Sequence, residues 1–112
     1  MKITTLIENL VYKIGLLAEH GLSLYIETDT RKILFDTGQS GAFLQNAREM
    51  GVKIEEIDSV IISHGHYDHT GGLASFLMVN SKARVYMKRE ALTEKYDMSK
   101  RDIGIACNPE LL

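Results

Sequence analysis

The pattern of apolar and polar positions in the first third of the chain predicts three β-strands. The two kinds of position alternate at 22–27, whereas residues 2–7 are β-prone and apolar and residues 33–35 are entirely apolar. Residues 29–31 form the predicted turn between the second and third strands. Residues 8–21 show no such periodicity, so we expect a long loop there, and long loops in compact domains often carry function.

Apolar side chains at three- and four-residue spacing predict two helices further along the chain. The first stripe consists of Phe43, Leu44, Ala47 and Met50. Ser40 is expected to cap this helix, and Gly51 is placed to end it in a left-handed conformation. The second stripe consists of Leu73, Phe76 and Leu77. Thr70 is the expected cap of this second helix.

Two later strands, at 59–63 and 84–87, and a weak helix at 90–96 complete the predicted order of elements. Strands separated by helices favour an α/β fold in which helices pack on a face of one sheet. The length of 112 residues allows one domain, so we assign residues 1–112 to a single domain.

A dense group of potential metal ligands follows the fourth predicted strand. Residues 64–69 read His-Gly-His-Tyr-Asp-His, so three of the four histidines of the chain lie beside a carboxylate. Side chains two positions apart in extended backbone share a face, so His64 and His66 can aim at one point. If the backbone turns after Gly65, Asp68 and His69 can aim at a second point nearby. Imidazole and carboxylate ligands suit Zn²⁺, and also Fe or Mn, so the spacing predicts a two-metal site.

Other interpretations of this cluster are a surface loop whose histidines bind nothing and a purely structural zinc site. The absence of cysteine near the cluster counts against a structural zinc site, which usually takes thiolate ligands. Gly71 and Gly72 are expected to let the backbone pass close to the site without a Cβ clash.

Two isolated residues are further candidates. Asp36 ends an apolar strand, and we expect its carboxylate to accept a hydrogen bond from a ligand imidazole. The alternative is that Asp36 only forms a turn, since Asp before Thr-Gly is a common turn pattern. His20 lies in the long loop, where it is expected to contact substrate; a solvated side chain is the alternative.

The charge balance narrows the classes of partner. Thirteen basic and fifteen acidic residues give a net charge of −2, which argues against a dedicated nucleic-acid-binding protein. The segment 82–101 is nevertheless rich in basic residues, namely Lys82, Arg84, Lys88, Arg89, Lys95, Lys100 and Arg101. A solvated face is one explanation for this segment, and attraction of an anionic small-molecule substrate is the other.

The location of the protein is also constrained by composition. No apolar run approaches the ~18 residues needed to cross a membrane, so we expect no membrane partner. The single cysteine, Cys107, excludes an intrachain disulfide and fits a reducing compartment. The expected location is therefore the cytoplasm.

Several motifs resemble the metallo-β-lactamase superfamily. The first is His-Gly-His-Tyr-Asp-His-Thr-Gly-Gly-Leu at 64–73, and the second is Ile-Leu-Phe-Asp-Thr-Gly at 33–38. Leu-Leu-Ala-Glu-His-Gly-Leu-Ser-Leu at 16–24 and Phe-Asp-Thr-Gly-Gln-Ser at 35–40 resemble one branch, which contains the dihydropterin ribofuranosylaminobenzene phosphate synthases of methanopterin biosynthesis.

The resemblance implies half of an αββα sandwich, with a mixed sheet, helices on one face and a dinuclear zinc site at the sheet edge. It implies that His64 and His66 bind one ion and that Asp68 and His69 bind the other, with Asp36 supporting a ligand from behind. Asp68 would also be a catalytic residue. The implied activity is that of a metal-dependent hydrolase or transferase, and the basic segment favours a phosphate-bearing substrate.

The resemblance covers only the N-terminal half of that fold. Members of this branch are much longer, and their remaining metal ligands, two histidines and a bridging aspartate, follow the matched region. In this chain no histidine follows His69, and the only later aspartates are Asp97 and Asp102. We therefore expect a homo-oligomer, or a complementing C-terminal half, to supply the missing ligands and to cover the exposed sheet face. That half would belong to a second chain or to a longer parent gene of which this sequence is a piece.

Two non-catalytic functions remain open at this point. The chain could be a truncated half-fold that self-associates, or one that binds metal without catalysis. It could also act as a metal-binding regulatory module without turnover.

Overall fold

A computed structural model describes residues 1–11 and 13–92 of the chain, and a single mixed sheet dominates this region. Its strands, in spatial as well as chain order, are β1 (Lys2–Ile7), β2 (Ser23–Glu27), β3 (Lys32–Phe35), β4 (Ser59–Ile61) and β5 (Arg84–Tyr86). The first three strands pair antiparallel, and β3, β4 and β5 pair parallel. The α/β class with a mixed sheet is therefore confirmed.

Helices connect the parallel strands. They are α1 (Ala42–Glu49), α2 (Tyr67–Thr70) and α3 (Leu73–Val79), and single 3₁₀ turns cover Ile54–Glu56 and Arg89–Leu92. The fourth and fifth strands are shorter than predicted, and residues 93–96 of the helix predicted at 90–96 lie outside the described residues. No helix in the described part of the chain has the length and apolar character needed to cross a membrane.

Both predicted helix caps were wrong in detail. The residue before α1 is Gly41, although the Ser40 hydroxyl still accepts a hydrogen bond from the Ala42 N–H at 3.2 Å. The residue before α3 is Gly72, because Thr70 belongs to the separate one-turn helix α2. The Thr70 hydroxyl instead donates to the carbonyl of His66 at 3.0 Å.

One buried position of α1 was also mispredicted. Asn46 is 1% exposed, whereas Met50, which the apolar stripe included, is 37% exposed. The Asn46 amide donates to the carbonyls of Leu6 and Leu17 at 2.7 and 2.8 Å, and its oxygen accepts from the Leu17 N–H at 2.8 Å. These bonds fasten the long loop and β1 to the helix, which explains why a polar side chain occupies a core position.

The two faces of the sheet differ sharply in what covers them. On one face, side chains of the central strands, such as Leu34 and Val60, are fully buried with Phe43 of α1 and Phe76 of α3. The alternate positions of the strands point the other way. These positions include Ile3, Ile61 and Tyr86, which are 54%, 37% and 50% exposed. Within the described residues, helices cover one face of the sheet, and the other is a partly exposed apolar face.

The parallel pairing of β3 with β4 brings their carboxyl ends to the same edge of the sheet. Asp36 directly follows β3, and its N–H donates to the carbonyl of Ile61 in β4 at 2.9 Å. The residues that follow β4 lead into the histidine cluster at 64–69. The fold thus places Asp36 and this cluster side by side although they are distant in sequence.

Candidate metal centre

Three side chains of the cluster converge on one point. His64, Asp68 and His69 each offer one donor atom, and these atoms all lie within 4.8 Å of one another. The ring of His66 lies beside this group, with its centroid 4.7 Å from that of His64. The structure therefore gathers all four predicted ligands. The three converging donors come from both predicted pairs, since His64 was paired with His66 and Asp68 with His69. How the ligands divide between two ions therefore remains a prediction.

A change of backbone conformation at His66 produces this convergence. His66 is extended, with φ −72° and ψ 146°, and α2 begins at the next residue. The N–H groups of His69 and Thr70 both donate to the carbonyl of His66, at 3.0 and 3.1 Å, which closes the helical turn. Asp68 and His69 are thereby folded back toward His64.

Asp36 lies beneath the cluster and is completely buried. Its Oδ1 accepts the Ser63 N–H at 2.7 Å, and its Oδ2 accepts the Ser63 hydroxyl at 2.6 Å. The same Oδ2 lies 2.7 Å from Nδ1 of His69. An ionised carboxylate only accepts hydrogen bonds, so Nδ1 of His69 carries the proton and Nε2 of the neutral ring has a free lone pair. The φ of +57° at Asp36 is a left-handed conformation that Asp adopts more readily than most residues.

Ser63 extends this arrangement to a second imidazole, and no sequence pattern singled this residue out. The Ser63 hydroxyl has one proton, which it donates to Asp36. Its oxygen also lies 2.9 Å from Nδ1 of His64 and must act as the acceptor there. Nδ1 of His64 therefore carries a proton, and its Nε2 is left with a lone pair. One buried carboxylate thus fixes the tautomers of two rings, a recurring feature of histidine metal ligands.

The lone pairs at this site face each other. Nε2 of His69 lies 3.5 Å from Oδ2 of Asp68, and both atoms are acceptors when His69 is neutral. Burial, and then the nearby imidazoles of His69 and His66, lower the pKa of His64, which keeps this ring neutral and able to bind a cation. The donor set of two imidazoles and a carboxylate fits a divalent transition metal such as Zn²⁺.

His20 lies at the edge of this group, against Asp68. Its Nε2 is 3.1 Å from Oδ2 of Asp68, and its side chain is 63% exposed. Asn9, which sequence reasoning did not single out, lies on the other side of the ring, with Nδ2 3.4 Å from Nδ1 of His20. The predicted contact of His20 with substrate remains a prediction, but the ring is fixed next to a candidate metal ligand.

Close backbone packing holds the loops around the site together. A Cβ on Gly71 would lie 2.0 Å from the carbonyl oxygen of Gln39, and one on Gly72 would lie 2.5 Å from that of Ser40. Only glycine permits these approaches, as expected from the sequence. The site is therefore built on segments whose backbones are locked against one another.

The basic segment at 82–101 is only partly described. Lys82, Arg84, Lys88 and Arg89 are exposed. The other three basic residues, Lys95, Lys100 and Arg101, lie outside the described residues. The role of this segment in attracting an anionic substrate stays a prediction.

Known proteins with a similar sequence and fold belong to one superfamily. Residues 17–104 match the family model of the metallo-beta-lactamase superfamily. A solved metal-dependent hydrolase of the beta-lactamase superfamily is 40% identical, with a TM-score of 0.76 over 92% of this chain and 36% of its own.

The curated relatives with named activities include a synthase and a nuclease. The 7,8-dihydropterin-6-methyl-4-(beta-D-ribofuranosyl)-aminobenzene-5'-phosphate synthase of Methanocaldococcus jannaschii is 39% identical over 65% of this chain and 27% of its own length. The exodeoxyribonuclease WalJ of Streptococcus pneumoniae is 31% identical over 82% of this chain and 38% of its own. This chain therefore spans well under half the length of these relatives. The match of the family model over most of its residues, together with the histidine cluster at the sheet edge, shows that the chain belongs to the metallo-beta-lactamase superfamily.

Proposed function

We propose that this chain supplies the metal-binding part of a metal-dependent hydrolase or transferase that acts on a phosphate-bearing substrate. The observation that carries the proposal is the paired control of His64 and His69 by Asp36. A buried carboxylate that places protons on both Nδ1 atoms leaves two imidazole lone pairs beside the carboxylate of Asp68. Such an arrangement favours a bound cation over solvent-exposed histidines with no function.

His64, Asp68 and His69 would hold a metal ion, and His66 would help to hold a second one. Bound metal would supply Lewis acidity and lower the pKa of a water molecule. Asp36 and Ser63 orient the imidazoles of His64 and His69 and hold a proton on each Nδ1. Asp68 would accept a proton during the reaction, which is its proposed catalytic role.

Two observations support a phosphate-bearing substrate. One of the two named relatives is a synthase whose product name includes a 5'-phosphate. The other is named as an exodeoxyribonuclease, and DNA is a phosphodiester. The exposed cations that follow β5, Lys88 and Arg89, would attract an anionic ligand. The net charge of −2 still argues against tight binding of nucleic acid.

Metal content and turnover on the same sample test this proposal. Purified protein should contain bound Zn, Fe or Mn by mass spectrometry, and it should hydrolyse bis-p-nitrophenyl phosphate in preference to thioester and lactam substrates. His66→Ala should abolish turnover while the circular dichroism spectrum is retained. Asp58→Asn, at the opposite end of β4, serves as the matched control and should keep full turnover. A folded protein that binds none of these metals would refute the proposal, and metal binding without turnover would favour a regulatory module.

We further propose that the exposed apolar face packs against a second copy of this chain. On this face, the positions that pair across neighbouring strands form two rows that run across the sheet. These rows hold seven apolar or aromatic side chains, namely Ile3, Leu24, Ile26, Ile33, Phe35, Ile61 and Tyr86. The only charged side chain in these rows is Arg84, on the edge strand β5. A symmetric interface requires a self-complementary surface, and an apolar face whose paired rows carry a charge only on the edge strand meets that requirement. A complementing chain that brings further metal ligands is the alternative occupant.

A further inference from the structure

The long loop at 8–21 reaches the candidate metal centre through the segment 19–22, which is fastened at both of its ends. The carboxylate of Glu19 accepts hydrogen bonds from the N–H groups of Gln39 and Ser40 at 3.1 and 3.3 Å, and from the Ser40 hydroxyl at 2.7 Å. At the other end, the Leu22 N–H donates to the carbonyl of Asp68 at 3.4 Å. The residues between these anchors therefore have a defined position relative to Asp68.

Gly21 allows this segment to press directly on the backbone of Asp68. Its φ is +139°, and a Cβ at this position would lie 2.2 Å from the Asp68 carbonyl oxygen. No other residue type would fit there without displacing one of the two segments. The preceding residue, His20, is consequently delivered to the side chain of the same aspartate.

Hydrogen bonds on both sides of the His20 ring determine which nitrogen carries the proton. The Gly21 N–H donates to Oδ1 of Asn9 at 3.1 Å, which fixes the orientation of that amide. Nδ2 of Asn9 is therefore the atom that faces Nδ1 of His20, and it can only donate. Nδ1 of His20 must then accept, so the proton of the neutral ring lies on Nε2, which faces Oδ2 of Asp68 at 3.1 Å.

We propose that His20 is a positioning residue for Asp68. Its Nε2–H, oriented by Asn9, donates to Oδ2 of Asp68 and fixes the carboxylate so that the remaining lone pairs face His64 and His69. This role rests on the proposed metal centre. It differs from the predicted substrate contact because it acts through Asp68, and it explains why an exposed histidine lies in a loop that is anchored so closely to the site.

The role of His20 can be tested without any assay of catalysis. In metal-free protein at pH 8, proton–nitrogen correlation spectra of the four ¹⁵N-labelled imidazoles should show His20 protonated at Nε2, with its signals assigned from their loss in His20→Gln. Addition of Zn²⁺ should leave this proton in place. His20→Ala should weaken Zn²⁺ binding, measured by chelator competition, about tenfold, at the lower end of the effect of removing such a supporting contact. His20→Gln, whose amide can still donate to Asp68, should stay within about threefold of the wild type on the same scale.

Each other outcome overturns a defined part of the proposal. A proton on Nδ1 of His20, or Zn²⁺ affinity unchanged in His20→Ala, overturns the positioning role alone. Loss of the Nε2 proton on addition of Zn²⁺ overturns it in favour of direct ligation by His20. Failure of the wild-type chain to bind Zn²⁺ overturns the metal centre itself, while the proton position in the metal-free spectrum still decides whether the contact between His20 and Asp68 forms as described.

Discussion

Replacing Asp36 with asparagine removes a negative charge and one hydrogen-bond acceptor from beneath the histidine cluster while it keeps the shape of the side chain. Asparagine also tolerates the φ of +57° at this position, whereas alanine there would add about 1–2 kcal/mol of backbone strain. Asp36→Asn therefore tests the hydrogen bonds of the carboxylate more cleanly than a truncation does.

The amide of the variant has one satisfactory orientation. Its oxygen must stay where Oδ1 accepts the Ser63 N–H, because an NH₂ group there would face a backbone donor that cannot rotate away. The NH₂ group then replaces Oδ2, which lies 2.7 Å from Nδ1 of His69. His69 must accept at Nδ1 and move its proton to Nε2. The lone pair available to a metal ion is lost.

The expected losses of stability and of Zn²⁺ affinity follow from the two hydrogen bonds of Asp36 that the substitution changes. Loss of the charged acceptor for the Ser63 hydroxyl and the His69 ring should lower the free energy of unfolding by about 1–3 kcal/mol. The tautomer switch should weaken Zn²⁺ binding by about 10- to 100-fold, as for other partners of metal-ligating histidines. That range corresponds to about 1.4–2.8 kcal/mol of binding free energy.

Chelator competition measures the affinity, urea unfolding measures the stability, and imidazole ¹⁵N spectra report the tautomer of His69. Asp58→Asn makes the same chemical change at the opposite end of the sheet, where the carboxylate accepts the Lys32 N–H at 2.9 Å. This control should leave Zn²⁺ affinity unaltered. Zn²⁺ binding by Asp36→Asn within threefold of the wild type, with His69 still protonated at Nδ1, would refute the reasoning.

Three further predictions concern the fold and its exposed face. Gly72→Ala places a Cβ 2.5 Å from two carbonyl oxygens and should lower the free energy of unfolding in urea by about 1–3 kcal/mol or more, whereas Gly41→Ala, whose nearest contact is the Ser75 hydroxyl at 3.2 Å, should change it little. Asn46→Ala leaves buried backbone groups at Leu6 and Leu17 without their partner and should lower the same quantity by about 3 kcal/mol. Ile61→Lys should reduce the mass measured by light scattering to that of the monomer, while Met78→Lys, at an 86% exposed position of α3, should not. A monomeric wild-type protein would contradict the last prediction.

Local patterns in the sequence were sufficient to predict most of the elements. The alternation at 22–27 and the apolar run at 33–35 correspond to β2 and β3, because the burial of every second side chain is a property of the strand itself. The stripe around Phe43 likewise corresponds to α1. The error at Met50 and Asn46 has a tertiary cause, since Asn46 is buried by bonds to the carbonyls of Leu6 and Leu17. No periodicity in a helix can signal those partners.

The sequence was sufficient to predict the main residues of the candidate site, but not the residues that orient them. The density of ligand-type residues at 64–69 pointed to the cluster, and the position of Asp36 after an apolar strand pointed to the same sheet edge. The contributions of Ser63 and Asn9 could not be predicted in this way, because serine after a strand and asparagine in a loop are common. Their importance depends on which nitrogen they face, and that is decided only when segments far apart in the chain come together.

The buried charge of Asp36 is better explained by the site than by the fold. A turn with φ of +57° could be formed by asparagine or glycine without placing a carboxylate in the protein interior. A buried carboxylate is expensive in free energy unless donors surround it, and among the described residues the side-chain donors to Asp36 are Ser63 and His69. The negative charge holds a proton on Nδ1, the inner nitrogen, of both His64 and His69. A neutral side chain at this position would not do so. That benefit exists only if the outer nitrogens of His64 and His69 have to bind a cation.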